Sequence, residues 1–218
     1  MHGNALLVTE VFHSIQGEST RAGLPCSFIR LARCNLRCSW CDTPYSFRGG
    51  ARRTVESLVD EVRGHNCPLV EITGGEPLAQ PGCVDLARAL VGAGFRVLIE
   101  TGGSLPIDTL PPEVVRIMDL KCPGSGMSHR NHWPNLEFLD PKRDEVKFVI
   151  ADRNDYEWSR GVIRRYTLEK RCAAVLLSPV WGRLNLEELA AWMLGDALPA
   201  RMQLPLHKII WPPDRRGV

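Results

Sequence analysis

Apolar residues gather along the chain in short runs, most of which lack strict alternation with polar ones. The runs are Leu6–Phe12, Ser27–Leu31, Leu69–Thr73, Phe95–Glu100, Val114–Leu120, Glu145–Ile150 and Ala173–Ser178, with Leu206–Trp211 as a candidate last member. Short β-rich runs of this kind fit strands covered on both faces by other elements. Helical spacing appears between them. Thr54 is placed to cap a helix whose inner face carries Val55, Leu58, Val59 and Val62. Cys83–Val91 reads as a second helix, ended near Gly92 or Gly94. Asp155–Lys170 is a third, with an irregularity expected at Gly161, and Leu186–Leu194 a fourth, capped by Asn185. Strand and helix in alternation predict an α/β fold with a parallel sheet and right-handed crossovers. About six such units are too few to close an eight-stranded barrel. The expected architecture is therefore a partial, incomplete TIM-like barrel with its chemistry at the C-terminal strand ends. No internal repeat or low-complexity linker divides the sequence, so residues 1–218 are expected to form one domain, with 212–218 as a C-terminal tail.

Composition narrows this little. Hydrophobic residues make up 44% and charged residues 24%, and the formal net charge of +2 does not call for a nucleic-acid partner. Arg52-Arg53 and Arg164-Arg165 read as solvated surface, and Arg215-Arg216 is a third basic pair. His129 and His132 flank a Gly/Asn/Pro-rich loop and read as solvent-facing. The N-terminus lacks a secretory pattern, and no run of 18 or more apolar residues is present, so a cytoplasmic protein without a membrane segment is expected. In that compartment eight cysteines suggest metal, catalysis or burial before disulfides. Cys26, Cys67, Cys83, Cys122 and Cys172 are scattered and read as buried thiols.

The other three are grouped as Cys34-Asn-Leu-Arg-Cys38-Ser-Trp-Cys41. A structural zinc site wants four protein ligands. His13, His65 and Cys67 are conceivable fourth ligands, but none has helpful local spacing. Three thiolates suit a [4Fe–4S] cluster with one iron left open to a small molecule. The spacing alone leaves zinc in play. Trp40, between the last two cysteines, is positioned to shield such a cluster. A second motif, Thr73-Gly74-Gly75-Glu76-Pro77, follows a buried run. Glycines there let backbone approach a ligand closely, although an ordinary strand-to-helix turn has the same composition.

Together these two motifs resemble the radical S-adenosylmethionine superfamily and its modified partial-barrel core. The likeness is closer still to the 7-carboxy-7-deazaguanine synthase family of queuosine biosynthesis. It is carried by Phe12-His-Ser-Ile-Gln-Gly-Glu18, Phe28-Ile-Arg-Leu31, Cys41-Asp-Thr43, Asp119-Leu-Lys-Cys-Pro123, Glu145-Val-Lys-Phe148, Leu177-Ser-Pro179 and Leu206-His-Lys-Ile-Ile-Trp211. The segments span essentially the full length. Unlike some relatives, this chain has no long insertion in the first cysteine gap, and its tail after Trp211 is shared by only some members.

The resemblance implies a lyase that converts 6-carboxy-5,6,7,8-tetrahydropterin to 7-carboxy-7-deazaguanine and ammonia. Removal of the C6 hydrogen by a 5′-deoxyadenosyl radical would precede contraction of the ring. Cys34, Cys38 and Cys41 would hold the cluster. Gly74, Gly75 and Glu76 would meet the methionine amine of S-adenosylmethionine, with Ser178 and Pro179 on its adenine side, Lys147 on its ribose or carboxylate side and Trp40 beside the cluster. Gln16, Glu18, Arg30, Thr73 and His207 would bind substrate, Arg30 as a bidentate carboxylate clamp and His207 as a hydrogen-bond donor or proton carrier. Asp42 and Thr43 would bind Mg2+, a hard cation that suits their oxygens. The bland alternatives are an internal acidic partner for Arg30, a cap or turn at Asp42-Thr43, a solvent-facing head for Lys147 and a core histidine at 207. The resemblance further implies a homodimer and an external electron donor such as flavodoxin or ferredoxin, with no direct contact to nucleic acid. Two other functions stay open at this point: a glycyl-radical activase, and a zinc-stabilised interaction or RNA-binding module.

Overall fold

The computed structural model describes residues 5–218. Among these residues nine strands form one open sheet in the order β3-β1-β2-β4-β5-β6-β7-β8-β9. β1 (Leu6–Ile15) runs antiparallel to both β2 (Pro25–Leu31) and β3 (Ala51–Arg53). From β2 onward the neighbours are parallel: β4 (Leu69–Gly74), β5 (Arg96–Thr101), β6 (Val115–Asp119), β7 (Glu145–Ile150), β8 (Ala174–Pro179) and the short β9 (Arg201–Met202). This is the unclosed, mostly parallel sheet that the pattern predicts.

The helices also follow local signals. α1 (Val55–Gly64) begins at Thr54, whose hydroxyl accepts from Ser57 N–H, and α4 (Leu186–Gly195) begins at Asn185, whose side chain accepts from Glu187 and Glu188 N–H. α2 spans Gly82–Gly92. α3 (Arg153–Tyr166) departs from expectation in two ways. It runs through Gly161 without a break, and it stops where Thr167 turns left-handed at φ 50°, giving way to a 3-10 turn over Leu168–Lys170. The expected last strand is also corrected. Leu206–Ile210 is a short helix, α5, anchored by Leu206 N–H to the Gly17 carbonyl at 2.8 Å. An apolar run this short satisfies either period, and the distant carbonyl decides.

Alternation along the strands gives the sheet two different faces. Val70, Ile72, Val97, Ile99, Val146, Phe148 and Leu177 point outward and pack with Leu58, Leu86, Leu90, Ile163 and Leu189 of the helices. The inner face begins with Cys26, Phe28, Leu69, Leu98 and Ile117, a smaller apolar cluster. Further along the same strands the inner positions turn polar, with Glu71, Thr73 and Lys147 all buried. The loop after β1 crosses the open side of the curl. Thr20 N–H reaches Glu145 on β7 (3.1 Å), and Ser19 N–H reaches Gln203, just past β9 (2.6 Å). The scattered cysteines are all buried free thiols, as expected. Among the described residues no helix is long and apolar enough to cross a membrane.

Candidate active site

A cavity of about 280 Å³ opens at the C-terminal ends of the parallel strands. The structure brings Gln16, Glu18, Arg30, Cys34, Cys38, Trp40, Cys41, Asp42, Thr43, Thr73, Gly74, Gly75, Lys147, Ser178, Pro179 and His207 to its lining. Of the residues expected to form the site, Glu76 alone is absent from that lining. It is fully buried, and its carboxylate accepts from Thr101 Oγ1 (2.8 Å), Gly102 N–H (2.7 Å) and Leu78 N–H (3.1 Å). Glu76 thus ties the ends of two neighbouring strands together behind the lining.

One wall is carried by strands. Lys147 is buried, and its Nζ lies 2.6 Å from Glu18 Oε2 and 2.9 Å from Glu100 Oε1. Burial works against its charge, but Glu100 and Glu18 outweigh that and raise its pKa well above the ordinary lysine value. Burial likewise pushes the Glu18 carboxyl up, and Lys147 more than reverses the push, leaving it below the usual range. Lys147 therefore joins Glu18 on the strand wall. This corrects the solvent-facing alternative. Gln16 donates from its amide nitrogen to Glu71 and accepts from Glu18 N–H, which fixes the amide's orientation. Glu71 has no cation in contact. Burial, then the nearby Glu100 charge, raise its pKa well above the ordinary carboxylate value. Thr73 Oγ1 donates to Glu100 at 3.3 Å.

Arg30 has the internal acidic partner that the bland alternative expects. Nε is 2.7 Å from Glu10, which also accepts from the Tyr45 hydroxyl at 2.8 Å. Its terminal guanidinium nitrogens have no protein partner among the described residues and remain available to a carboxylate. His207 sits on α5 against Gly17. A Cβ on Gly17 would lie 2.2 Å from His207 Nδ1, so only glycine lets the ring in. Burial lowers the His207 pKa, with Glu18 opposing, and keeps the ring neutral near pH 7.

The other wall is a loop. Cys34, Cys38 and Cys41 are half-buried and free. Burial raises the Cys34 and Cys38 thiols, and the neighbouring Lys121 ammonium acts in the opposite direction. Among the described residues no three His, Cys, Asp or Glu side chains converge on a single-ion site. Thiolates of a cubane cluster bond different irons, and the triad is read as such a ligand set. Close backbone packing holds the loop. Gly75 N–H donates to Leu31 O (3.2 Å) and Glu76 N–H to Arg33 O (2.9 Å). A Cβ on Gly75 would lie 2.3 Å from Arg33 O and 2.7 Å from Cys34 Cβ. The glycine pair thus seats the cysteine loop against the strand ends. Trp40 packs over Gly124 and lies 5.8 Å beneath the Arg183 guanidinium. Thr43 precedes a 3-10 turn (Pro44–Phe47) without capping it through its side chain, so its hydroxyl is not spent there. Asp42 Oδ2 pairs with Lys208 Nζ at 2.8 Å.

The lining also contains charged residues that the sequence reading did not assign to the site, among them Glu71, Glu100, Asp119 and Lys121. The signal was available for the first two. A carboxylate inside an otherwise apolar strand is costly unless paired, so each marks a polar interior. Lys121 pairs with Asp119 Oδ2 at 2.7 Å, while Asp119 Oδ1 is buried with no hydrogen-bond partner. That orphan beside the cysteine loop fits a site built for a polar ligand.

Comparison with known proteins agrees with this geometry. Residues 28–119 match the family model described as the Radical SAM superfamily. The chain is 45% identical over 215 residues to a 7-carboxy-7-deazaguanine synthase of Chlorobaculum tepidum, covering 98% of this chain and 97% of that one. A synthase of the same name from Koribacter versatilis is 43% identical over 226 residues, covering 97% and 99%. The crystal structure of QueE from Escherichia coli superposes with a TM-score of 0.77 at 22% identity, over 93% of this chain and 95% of that one, a likeness of fold. Full-length identity at this level sets aside the activase and zinc-module readings. The chain belongs to the 7-carboxy-7-deazaguanine synthase family of radical S-adenosylmethionine enzymes.

Proposed function

We propose that the chain converts 6-carboxy-5,6,7,8-tetrahydropterin to 7-carboxy-7-deazaguanine with release of ammonia, as a step toward queuosine. The observation that carries this reading is that the cysteine triad and the paired carboxylates line the same cavity. When bound, a reduced [4Fe–4S] cluster and S-adenosylmethionine supply a 5′-deoxyadenosyl radical for hydrogen abstraction.

The chain's own residues meet the remaining demands. Cys34, Cys38 and Cys41 would hold the cluster. The strand-end carbonyls of Gly74 and Gly75 accept from the S-adenosylmethionine ammonium, and Lys121 attracts its carboxylate. Ser178 and Pro179 border the adenine. On the strand wall, Glu18 and Glu100 accept from the N–H-rich edge of the pterin, and Lys147 keeps Glu18 ionised for that task. Arg30 takes the substrate carboxylate with its free N–H pair. Thr73 and Gln16 fix the ring's orientation, and neutral His207 donates to the substrate or carries a proton. Thr43 would supply a direct oxygen ligand to Mg2+, and Asp42, already paired with Lys208, would support it from beside the ion. A homodimer, a flavodoxin- or ferredoxin-type electron donor and a cytoplasmic setting complete the reading.

Anaerobic incubation of the iron-loaded chain with the tetrahydropterin, S-adenosylmethionine, Mg2+ and a reductant tests it. Formation of 7-carboxy-7-deazaguanine is expected, and its absence rejects the function. Omitting Mg2+ should lower turnover about tenfold, and Thr43→Ala should reproduce part of that loss. Unchanged turnover in both would remove the ion from the site.

A further inference from the structure

Residues 213–218 lie along the cavity and contribute to its lining. Within them, the Arg216 guanidinium stacks on the Tyr45 ring, with Cζ 4.0 Å from the ring centroid. The same tyrosine donates to Glu10, the carboxylate that pairs with Arg30. Arg30 and Arg216 therefore stand around one side chain. Their electrostatic states differ. Of the cations at this end of the cavity, Arg30 is neutralised by Glu10 and Lys208 by Asp42. Arg216 has no acidic partner among the described residues. An anionic ligand approaching Arg30 thus meets a pair of zero net charge, and the Glu10 carboxylate repels it. Asp214 and Arg215 also line the cavity and offset each other in charge, so Arg216 adds a positive charge beside the neutral Arg30–Glu10 pair.

We propose that Arg216 is a second carboxylate-binding residue: stacked on Tyr45, it supplies the positive charge that the Arg30–Glu10 pair lacks and selects for a carboxylated pterin. The stacked geometry matters as well as the charge. A guanidinium held over an aromatic ring still has several N–H groups to offer a carboxylate, whereas a lysine ammonium is a point charge on a flexible stem. This inference rests on the function proposed above and adds a residue to it.

Two ligands separate the contributions: 6-carboxypterin, and pterin without the carboxylate. Calorimetric titration of each into the anaerobic holoenzyme, loaded with cluster and S-adenosylmethionine, reads the carboxylate's share directly. Arg216→Ala should weaken 6-carboxypterin about tenfold and Arg216→Lys about threefold, with unsubstituted pterin unchanged in both. Equal weakening of both ligands, or no weakening of either, overturns the assignment. If the unsubstituted ligand and the acid bind wild-type enzyme equally well, the assignment fails too. Wild-type chain that binds neither pterin and makes no deazaguanine defeats the functional reading itself, and the Arg216 assignment with it.

Discussion

The two walls of the cavity are built on opposite principles. The strand wall is complete in the protein alone. Lys147 is held between two carboxylates, Gln16 between Glu71 and Glu18, and Arg30 against Glu10. The loop wall is not. Its three thiols are free, Asp119 keeps an orphan oxygen, and the loop is held by backbone contacts such as Gly75 to Leu31 and by a few side-chain bonds, Asn35 to Ser104 and Ser39 to the Gly124 carbonyl. Buried charges must be neutralised before a ligand arrives, so the strand wall is preorganised. Soft thiol ligands tolerate waiting as neutral groups, and metal binding then adds its free energy to that of the fold. The comparison predicts that substitutions on the loop wall abolish chemistry with little loss of fold. Those on the strand wall damage both.

The largest effect tests the loop wall. Cys38→Ala should eliminate product and the brown colour of the cluster while leaving the far-ultraviolet circular dichroism unchanged. A coloured, active variant would remove the triad from the mechanism. Next comes the strand wall. Lys147→Met leaves the half-buried Glu18 and Glu100 without their buried cation and should cost about 3 kcal/mol of unfolding free energy in urea titration. Lys208→Met breaks the pair with half-exposed Asp42 and should cost less than about 1 kcal/mol. Equal losses would erase the distinction between the two kinds of charge. Arg30→Ala should raise the KM for the tetrahydropterin about 10-fold to 100-fold and that for S-adenosylmethionine by less than about twofold. Parallel rises would take Arg30 out of the carboxylate pocket.

The smallest effect concerns Glu71. Its folded-state pKa is raised by burial and then by Glu100, so between the ordinary and the raised value it holds a proton that the unfolded chain releases. The stability from this group is intact below the ordinary carboxylate pKa and is lost as pH rises from there through the raised value. Glu71→Gln cannot ionise. Its unfolding midpoint should exceed that of the wild type at pH 8 and match it near pH 4. A variant less stable at pH 8 would mean that Glu71 is ionised and paired in the fold.

Local chemistry made much of the molecule legible from sequence. Seven apolar runs became strands, and Thr54 and Asn185 cap helices because capping needs only the next three residues. The cysteine triad and the residues that resemblance attached to it gather in one cavity, Glu76 excepted. What stayed hidden depends on distant partners. The partners of Glu76, Thr101 and Gly102, lie at the end of the next parallel strand. Lys147 meets Glu18 only because the loop after β1 folds across the sheet. The helix at Leu206–Ile210 begins on the carbonyl of Gly17, near the other end of the chain.

A label-transfer measurement probes most directly whether the two walls serve one reaction. Tetrahydropterin deuterated at C6 is incubated anaerobically with the iron-loaded chain, S-adenosylmethionine and a reductant, and the nucleoside fraction is analysed by mass spectrometry. Deuterium in the 5′-deoxyadenosyl group, accompanied by 7-carboxy-7-deazaguanine, is the predicted result. Cleaved S-adenosylmethionine that carries no deuterium, with the pterin recovered unchanged, would contradict it.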